Sequence, residues 1–282
     1  MYQLVNVSNR LPVTVGKTIK RSSGGLTAAL EGLTKDEFNL KWVGWPGATV
    51  KTAERREEVA QHLLKEFNYV PVYLTRSEVS GHYHGFANSS LWPILHYMPN
   101  YMRYDEPWWD TYYEVNQHFA DCVLDATDES DIIWVHDYQL MLLPGMLRKV
   151  RPQQRIGFFL HTPFPSYEIF RCHPKREEIV RGLLGADLVG FHTYGYLRHF
   201  RSTVLRLLGI ESHEAAISHE TGRTHLGVYP IGINAPKFES ELKSKRGEKA
   251  RKQIRTNFAG RRIVLSVERL DYTKGIVRRL QA

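Results

Sequence analysis

The sequence predicts a doubly wound parallel α/β sheet, and three observations support that class. Short apolar runs recur along the chain, several of them almost unbroken, as expected for strands covered by helices on both faces. Amphipathic stretches stand between most of them, the alternation that builds a parallel sheet. Polar residues close nearly every run, at the carboxyl ends where such sheets hold ligands.

Taken in order, "YQLVNVS" opens the chain, and "LKWVGWPG" and "YVPVYL" follow. Then come "DIIWVHD", "RIGFFLHTPFP", "ADLVGFHT", "LGVYPIGI" and "RRIVLSVERLD". The helical stretches are "EEVAQHLLKEF", "EVNQHFADCVLDAT", "YQLMLLPGMLRKV", "REEIVRGLLG" and "YLRHFRSTVLRLLG", the last closing at Gly209 as a helix terminus should. No internal repeat or low-complexity linker interrupts them. The best boundary lies at "GINAPKFES", where Gly232, Asn234 and Pro236 break the pattern, so residues 1–235 and 236–282 are expected to be separate units. Charge changes at the same place: Lys and Arg outnumber Asp and Glu fourteen to five after residue 235, against twenty-four to twenty-five before it.

At 282 residues, with 42% apolar and 24% charged residues, the composition is that of a globular protein. The start shows no basic segment followed by an apolar core, and no apolar run approaches the roughly 18 residues of a membrane span, so a soluble cytoplasmic protein without membrane partners is expected. Cys122 and Cys172 lie far apart and have no partner at metal spacing, which points to buried reduced thiols. Most of the basic excess falls in "KSKRGEKARKQIR", whose spacing suits the solvated face of one helix better than a nucleic-acid site.

Ligand-binding candidates follow from the strand ends: Asn9 and Arg10, Trp45, His136 and Asp137, His161, His192, and Arg269 with Asp271. A polar residue must follow any buried strand, so only the set as a whole suggests a crevice. In "RSSGGLTAALEGL", Gly24 and Gly25 enter a helix and could bring backbone N–H groups to an anion; a bare turn explains them equally well. The G-x-G-x-x-G fingerprint of a nicotinamide dinucleotide site is absent. In "ERLDYTKG", Arg269 and Lys274 occupy a strand-to-helix turn, a combination suited to a diphosphate; the alternative is that both pair with Glu268 and Asp271 on the surface.

These segments carry a resemblance. "VSNRLPV", "SSGGL", "VGWPG", "YHGFANSSLWPILHY", "VHDYQLMLLPGMLR", "GFFLHTPFPSYEIFR", "GFHTYGYLRHF" and "ERLDYTKGI" are similar, in this order and from residue 4 to residue 276, to the motifs of the trehalose-6-phosphate synthases, retaining glycosyltransferases of family 20. The resemblance implies a GT-B architecture of two Rossmann-like halves, and transfer of glucose from UDP-glucose to glucose 6-phosphate. On that basis residues 1–235 form the acceptor-binding domain and residues 236–282 only the start of the nucleotide-sugar-binding domain, which leaves activity of the chain alone in question. By the same resemblance Arg10, Tyr83, Trp92 and Asp137 bind the acceptor, and Gly24, Gly25, His161, Arg269 and Lys274 bind the donor. Asp137, His161, Arg269 and Lys274 form the catalytic set. For Tyr83 and Trp92 the alternative is core or lid packing, and for His161 a structural histidine.

Breaking the bond to a nucleotide diphosphate leaves negative charge on the departing oxygen and an oxocarbenium-like sugar. No Asp-x-Asp occurs in the sequence to hold a metal there, so Arg269 and Lys274 are expected to take that role, with no metal or other cofactor. Retention would then follow the front-face route proposed for the family. Two other readings remain: a glucosylglycerol-phosphate synthase with a smaller acceptor, or a non-catalytic phosphosugar-binding domain. The choice among UDP, GDP and ADP, and homo-oligomer formation, stay open. The run "RRIVLSV" needs sheet neighbours, so residues after about 236 are expected to dock on another molecule or move, unless the final helix packs back.

Overall fold

The computed structural model describes residues 3–16, 18–22 and 39–282. They divide into two compact units, one running to Ile231 and one from Gly232. Gly24 and Gly25 lie outside the described residues.

The first unit is built on one large sheet. Strand β1 (Gln3–Arg10) leads into a small antiparallel pair, β2 (Val13–Val15) and β3 (Ile19–Arg21). The sheet continues with β4 (Asn39–Trp45), β5 (Tyr69–Pro71), β6 (Ile132–His136), β7 (Arg155–Phe159) and β8 (Leu188–Phe191). It ends with β9 (Ser212–His213), β10 (Ala216–His219) and β11 (Gly222–Val228). Across the sheet the order is β5-β4-β1-β6-β7-β8-β11-β10-β9. Every pairing from β5 to β11 is parallel, and β10 pairs antiparallel with both β9 and β11. The predicted parallel sheet is therefore present with an antiparallel edge that the sequence reading does not contain. The run "LGVYPIGI" is strand only through Val228, as the carboxyl end of a hairpin starting at Ser212.

Successive residues of a strand point to opposite faces, and the core follows that rule. Val5 and Val7 of β1 align with Val43, Ile133 and Val135 in the larger apolar cluster, all fully buried. Trp42, the neighbour of Asn6, instead joins Leu11, Val13, Val50, Val59 and Leu63 in a smaller one. Helix α1 (Ala53–Phe67) supplies Val59 and Leu63; it starts where Thr52 accepts a hydrogen bond from Arg55 N and stops at left-handed Asn68. Helix α2 (Glu106–Ala126) covers the larger cluster with Tyr112, Val115 and Phe119. Each such side chain contributes about 1.5–3 kcal/mol by leaving water. Helices α3 (Leu143–Val150), α4 (Arg176–Leu183) and α5 (Tyr194–Leu208) follow the expected stretches, and α5 ends at Gly209 with φ 69°.

Val79–Leu91 adopts thirteen residues of π-helix, a form rare beyond a single turn. It lies close against α2: a Cβ on Gly81 would come within 2.7 Å of the Thr111 side chain, and one on Gly85 within 2.6 Å of the Trp108 ring. Side chains at these two positions would force the helices apart.

In the second unit, helices α6 (Ala235–Lys243) and α7 (Lys245–Asn257) precede residues 261–269, where the sequence predicts a strand. Among the described strands none includes or pairs with that run, and Val264 is 97% exposed. The prediction fails there because a strand's N–H and C=O groups need a ladder partner. A 3-10 turn at Tyr272–Lys274 and a short helix, Ile276–Gln281, end the unit. Among the described residues no helix is long and apolar enough to cross a membrane. Cys122 is half-buried and Cys172 is exposed, so the expectation of two buried thiols is corrected for Cys172.

Candidate active site at the strand ends

The chain leaves β1 to build β4 and β5 on one side, then crosses to build β6, β7 and β8 on the other. Strand order therefore reverses between β1 and β6, the place where open α/β sheets bind ligands. Arg10 ends β1, and Asp137 follows β6 directly.

Asp137 has φ 72° and ψ 171°, a region essentially reserved for glycine. Holding an aspartate there costs about 1–3 kcal/mol, and such strain gathers at functional positions. The surroundings enforce it. Asp137 N donates to Phe159 O at 2.9 Å, and its Oδ1 accepts from His161 N at 3.2 Å. The following turn is anchored from α2: Tyr112 Oη donates to Tyr138 O at 2.8 Å and accepts from Met141 N at 3.1 Å, while Asn116 Nδ2 donates to Gln139 O at 3.1 Å.

The structure thus brings Asp137 and His161 together. His136 Nδ1 lies 3.0 Å from His161 Nε2, and the ring of His192 is 5.8 Å from that of His161. Burial pushes His161 down to about 4, helped by the nearby His192 ring, and holds His136 well below its ordinary value. These rings are neutral near pH 7.

Arg10 is held at the end of β1 with its guanidinium exposed. Its Cζ lies 5.5 Å from the Trp45 ring centroid, and Nη2 donates to Thr14 Oγ1 at 3.1 Å. Gly47, at φ 77°, closes the other side: a Cβ there would lie 2.5 Å from Arg10 Nη2. A guanidinium so placed can present a bidentate fork to an anion.

Tyr83 sits half-buried on the π-helix, which ends at the half-buried Trp92. The Trp92 ring stands 5.4 Å from Tyr138, whose hydroxyl donates to Asn88 Oδ1 at 2.8 Å. His82, on the same helix, donates from Nε2 to Asn9 Oδ1 at 3.2 Å and stacks on Tyr112; burial alone pushes it down to about 3. The π-helix is thereby tied to the ends of β1 and β6. Tyr138, His82 and Gly47 are site-building residues that sequence reasoning missed. Tyr138 follows Asp137 and Gly47 lies two residues after Trp45, both within quoted motifs, but nothing in a linear sequence shows a ring contact or what a Cβ would meet.

In the second unit, Arg269 precedes the 3-10 turn and Lys274 is its last residue, both with exposed side chains, but the turn is entered from residues without strand structure rather than from the predicted strand. Asp271 Oδ1 accepts from Thr273 N at 2.9 Å and Thr273 Oγ1 at 2.8 Å, so its carboxylate caps the turn. Glu268 is gripped by Arg279, which also donates to Ser266 Oγ at 2.6 Å.

A doubly wound sheet with its polar residues gathered at the carboxyl edge of the switch point makes the first unit a Rossmann-like ligand-binding fold. A UDP-forming alpha,alpha-trehalose-phosphate synthase from Burkholderia vietnamiensis superposes with a TM-score of 0.87 at 32% identity, over 100% of this chain and 59% of that one. The N-terminal domain of a trehalose-6-phosphate phosphatase from Candida albicans gives 0.88 at 30% identity, over 100% and 60%. The chain belongs to glycosyltransferase family 20, whose profile matches residues 2–282. It is 44% identical over 291 aligned residues to the 56 kDa subunit of the UDP-forming alpha,alpha-trehalose-phosphate synthase of Saccharomyces cerevisiae, covering 99% of this chain and 58% of the relative. Among the first curated relatives it spans 38% to 62% of their length.

Proposed function

We propose that this chain is the acceptor-binding half, with the entry to the donor-binding half, of a retaining glucosyltransferase that makes trehalose 6-phosphate from UDP-glucose and glucose 6-phosphate. Family membership supports the class of reaction, and the strained Asp137 locked to His161 at the switch point is the observation that carries the site. Arg10 takes the acceptor phosphate, with Tyr83 and Trp92 against the sugar ring and Asp137 on its hydroxyls. His161 meets the transferred glucose, and Gly24 and Gly25, which lie outside the described residues, belong with it to the donor-binding set. Arg269 and Lys274 hold the diphosphate and offset the charge that builds on it as the glycosidic bond breaks, so that no divalent metal is needed. A preorganised donor of that kind is worth about 3–4 kcal/mol in the transition state. The acceptor hydroxyl attacks on the face from which the diphosphate leaves.

The reading places the protein in the cytoplasm, as a homo-oligomer or a monomer. Its test is a turnover assay with Arg269→Ala and with a chelator present. Loss of turnover in the variant and full turnover without free metal are expected; an indifferent variant or a strict magnesium requirement would refute the assignment of Arg269 and Lys274.

A second reading is favoured by one comparison, the similarity to the N-terminal domain of a trehalose-6-phosphate phosphatase. In it, the chain binds phosphosugar without transferring glucose. Calorimetry of this chain with glucose 6-phosphate and with UDP, beside a turnover assay, separates the two: binding without turnover supports the second.

A further inference from the structure

Three histidines close three successive strands: His136 ends β6, and His161 and His192 stand just beyond β7 and β8. Only His161 has a part in the proposed reaction, yet the three are linked. Ile231 N donates to His192 Nδ1 at 3.4 Å, which leaves the proton of a neutral His192 on Nε2; His192 also bonds to the His161 main chain. On the other side, His161 N donates to Asp137 Oδ1 at 3.2 Å. The His161 ring is met by His136, whose Nδ1 lies 3.0 Å from its Nε2.

Burial keeps both rings neutral near pH 7, so each carries one proton. A hydrogen bond between two neutral imidazoles can run in only two directions. Were His161 the donor, the proton of His136 would sit on its Nε2, a buried nitrogen without a hydrogen-bond partner among the described residues. With His136 as donor, that nitrogen is a bare acceptor instead. Along the main chain, orphaned buried N–H groups are rarer than under-satisfied carbonyls, and carried over to the imidazole this preference favours His136 as the donor.

We propose that His136 is a positioning residue: it donates its Nδ1 proton to His161 Nε2 and so holds His161 as the Nδ1–H tautomer. His161 Nδ1 then meets a ligand oxygen only as a hydrogen-bond donor. That suits a sugar hydroxyl or phosphate oxygen accepting from it, a consequence that rests on the transferase reading above. The tautomer itself does not depend on that reading.

Long-range proton–nitrogen correlation spectra of the full 282-residue chain, labelled with nitrogen-15 in its imidazoles, read the tautomer near neutral pH. The expected result is His161 protonated on Nδ1 and bare on Nε2. In His136→Phe, the Nδ1-protonated population of His161 should fall severalfold, because its enforcing donor is gone. In His136→Asn, whose side-chain amide can donate from nearly the same place, it should recover. His161 protonated on Nε2 in the unaltered protein, or an unchanged His161 signal in His136→Phe, would overturn the proposal. A failed turnover assay would remove the transferase reading and leave these spectra untouched, so the two failures are distinguishable.

Discussion

Two apolar runs of similar composition meet opposite fates in this molecule. In β7, "RIGFF" buries Ile156 and Phe158 to 2% exposure, whereas in "RRIVLSV" Val264 and Leu265 stand 97% and 81% exposed. The first lies between β6 and β8, with both edges laddered and α-helical layers over its side chains. The second has no ladder partner among the described strands. Strand propensity is thus a fitness for a site in a sheet, and becomes structure only where neighbours supply hydrogen bonds and burial.

Acid should separate the two regions most. Four histidines of the first unit are held neutral by burial: His82 and His173 at about 3, His161 at about 4, and His136 well below its usual value. The second unit contains no histidine. Because these folded-state values lie below the unfolded value near 6.5, the unfolded chain takes up protons first. Stability is full above about pH 6.5 and falls as pH drops toward about 4, by up to about 1.4 kcal/mol per pH unit for each group. Denaturation midpoints at pH 7.5 and pH 5 check this, and equal midpoints would remove the claim that these rings are buried neutral.

Truncating the core sharpens the contrast. Phe158→Ala should cost about 3–5 kcal/mol, and Leu265→Ala no more than about 0.5 kcal/mol. Urea unfolding of both variants measures it, and a comparable loss from Leu265→Ala would show that the exposed run is packed in solution.

A smaller difference is expected at Asp137. Glycine should be more stable there than alanine by about 1–3 kcal/mol, since it alone adopts φ 72° and ψ 171° without strain. Thermal unfolding of Asp137→Gly and Asp137→Ala tests this; equal stabilities would mean the backbone relaxes at that position. A smaller effect than at Asp137 is expected at the cap of the second unit's turn. Asp271→Ala removes the cap on Thr273, at about 0.5–1 kcal/mol, spent on a turn that is already exposed. Amide exchange at Thr273 and Lys274 should speed up without any change in the first unit.

Much of the first unit was legible. The helix ending at Gly209 and the strands "VSNR", "IIWVH" and "LVGF" are set by local chemistry: apolar period, a residue that tolerates φ above zero, and polar closure. The strand-end residues Arg10, Asp137 and His161 could be nominated for the same reason. The thirteen-residue π-helix was not legible, and neither was its close approach to α2 at Gly81 and Gly85, which involves residues far along the chain. Nor was the antiparallel edge, where Ala216 meets both His213 and His225.

By itself, then, the sequence determined where strands and helices can form, how they alternate, and which polar side chains end the strands, because these follow from neighbours along the chain. Tertiary structure decided which apolar runs become strands, that Asp137 occupies a glycine conformation, and that His136 touches His161. Those depend on groups far apart in sequence, whose hydrogen bonds and burial exist only once the sheet has assembled.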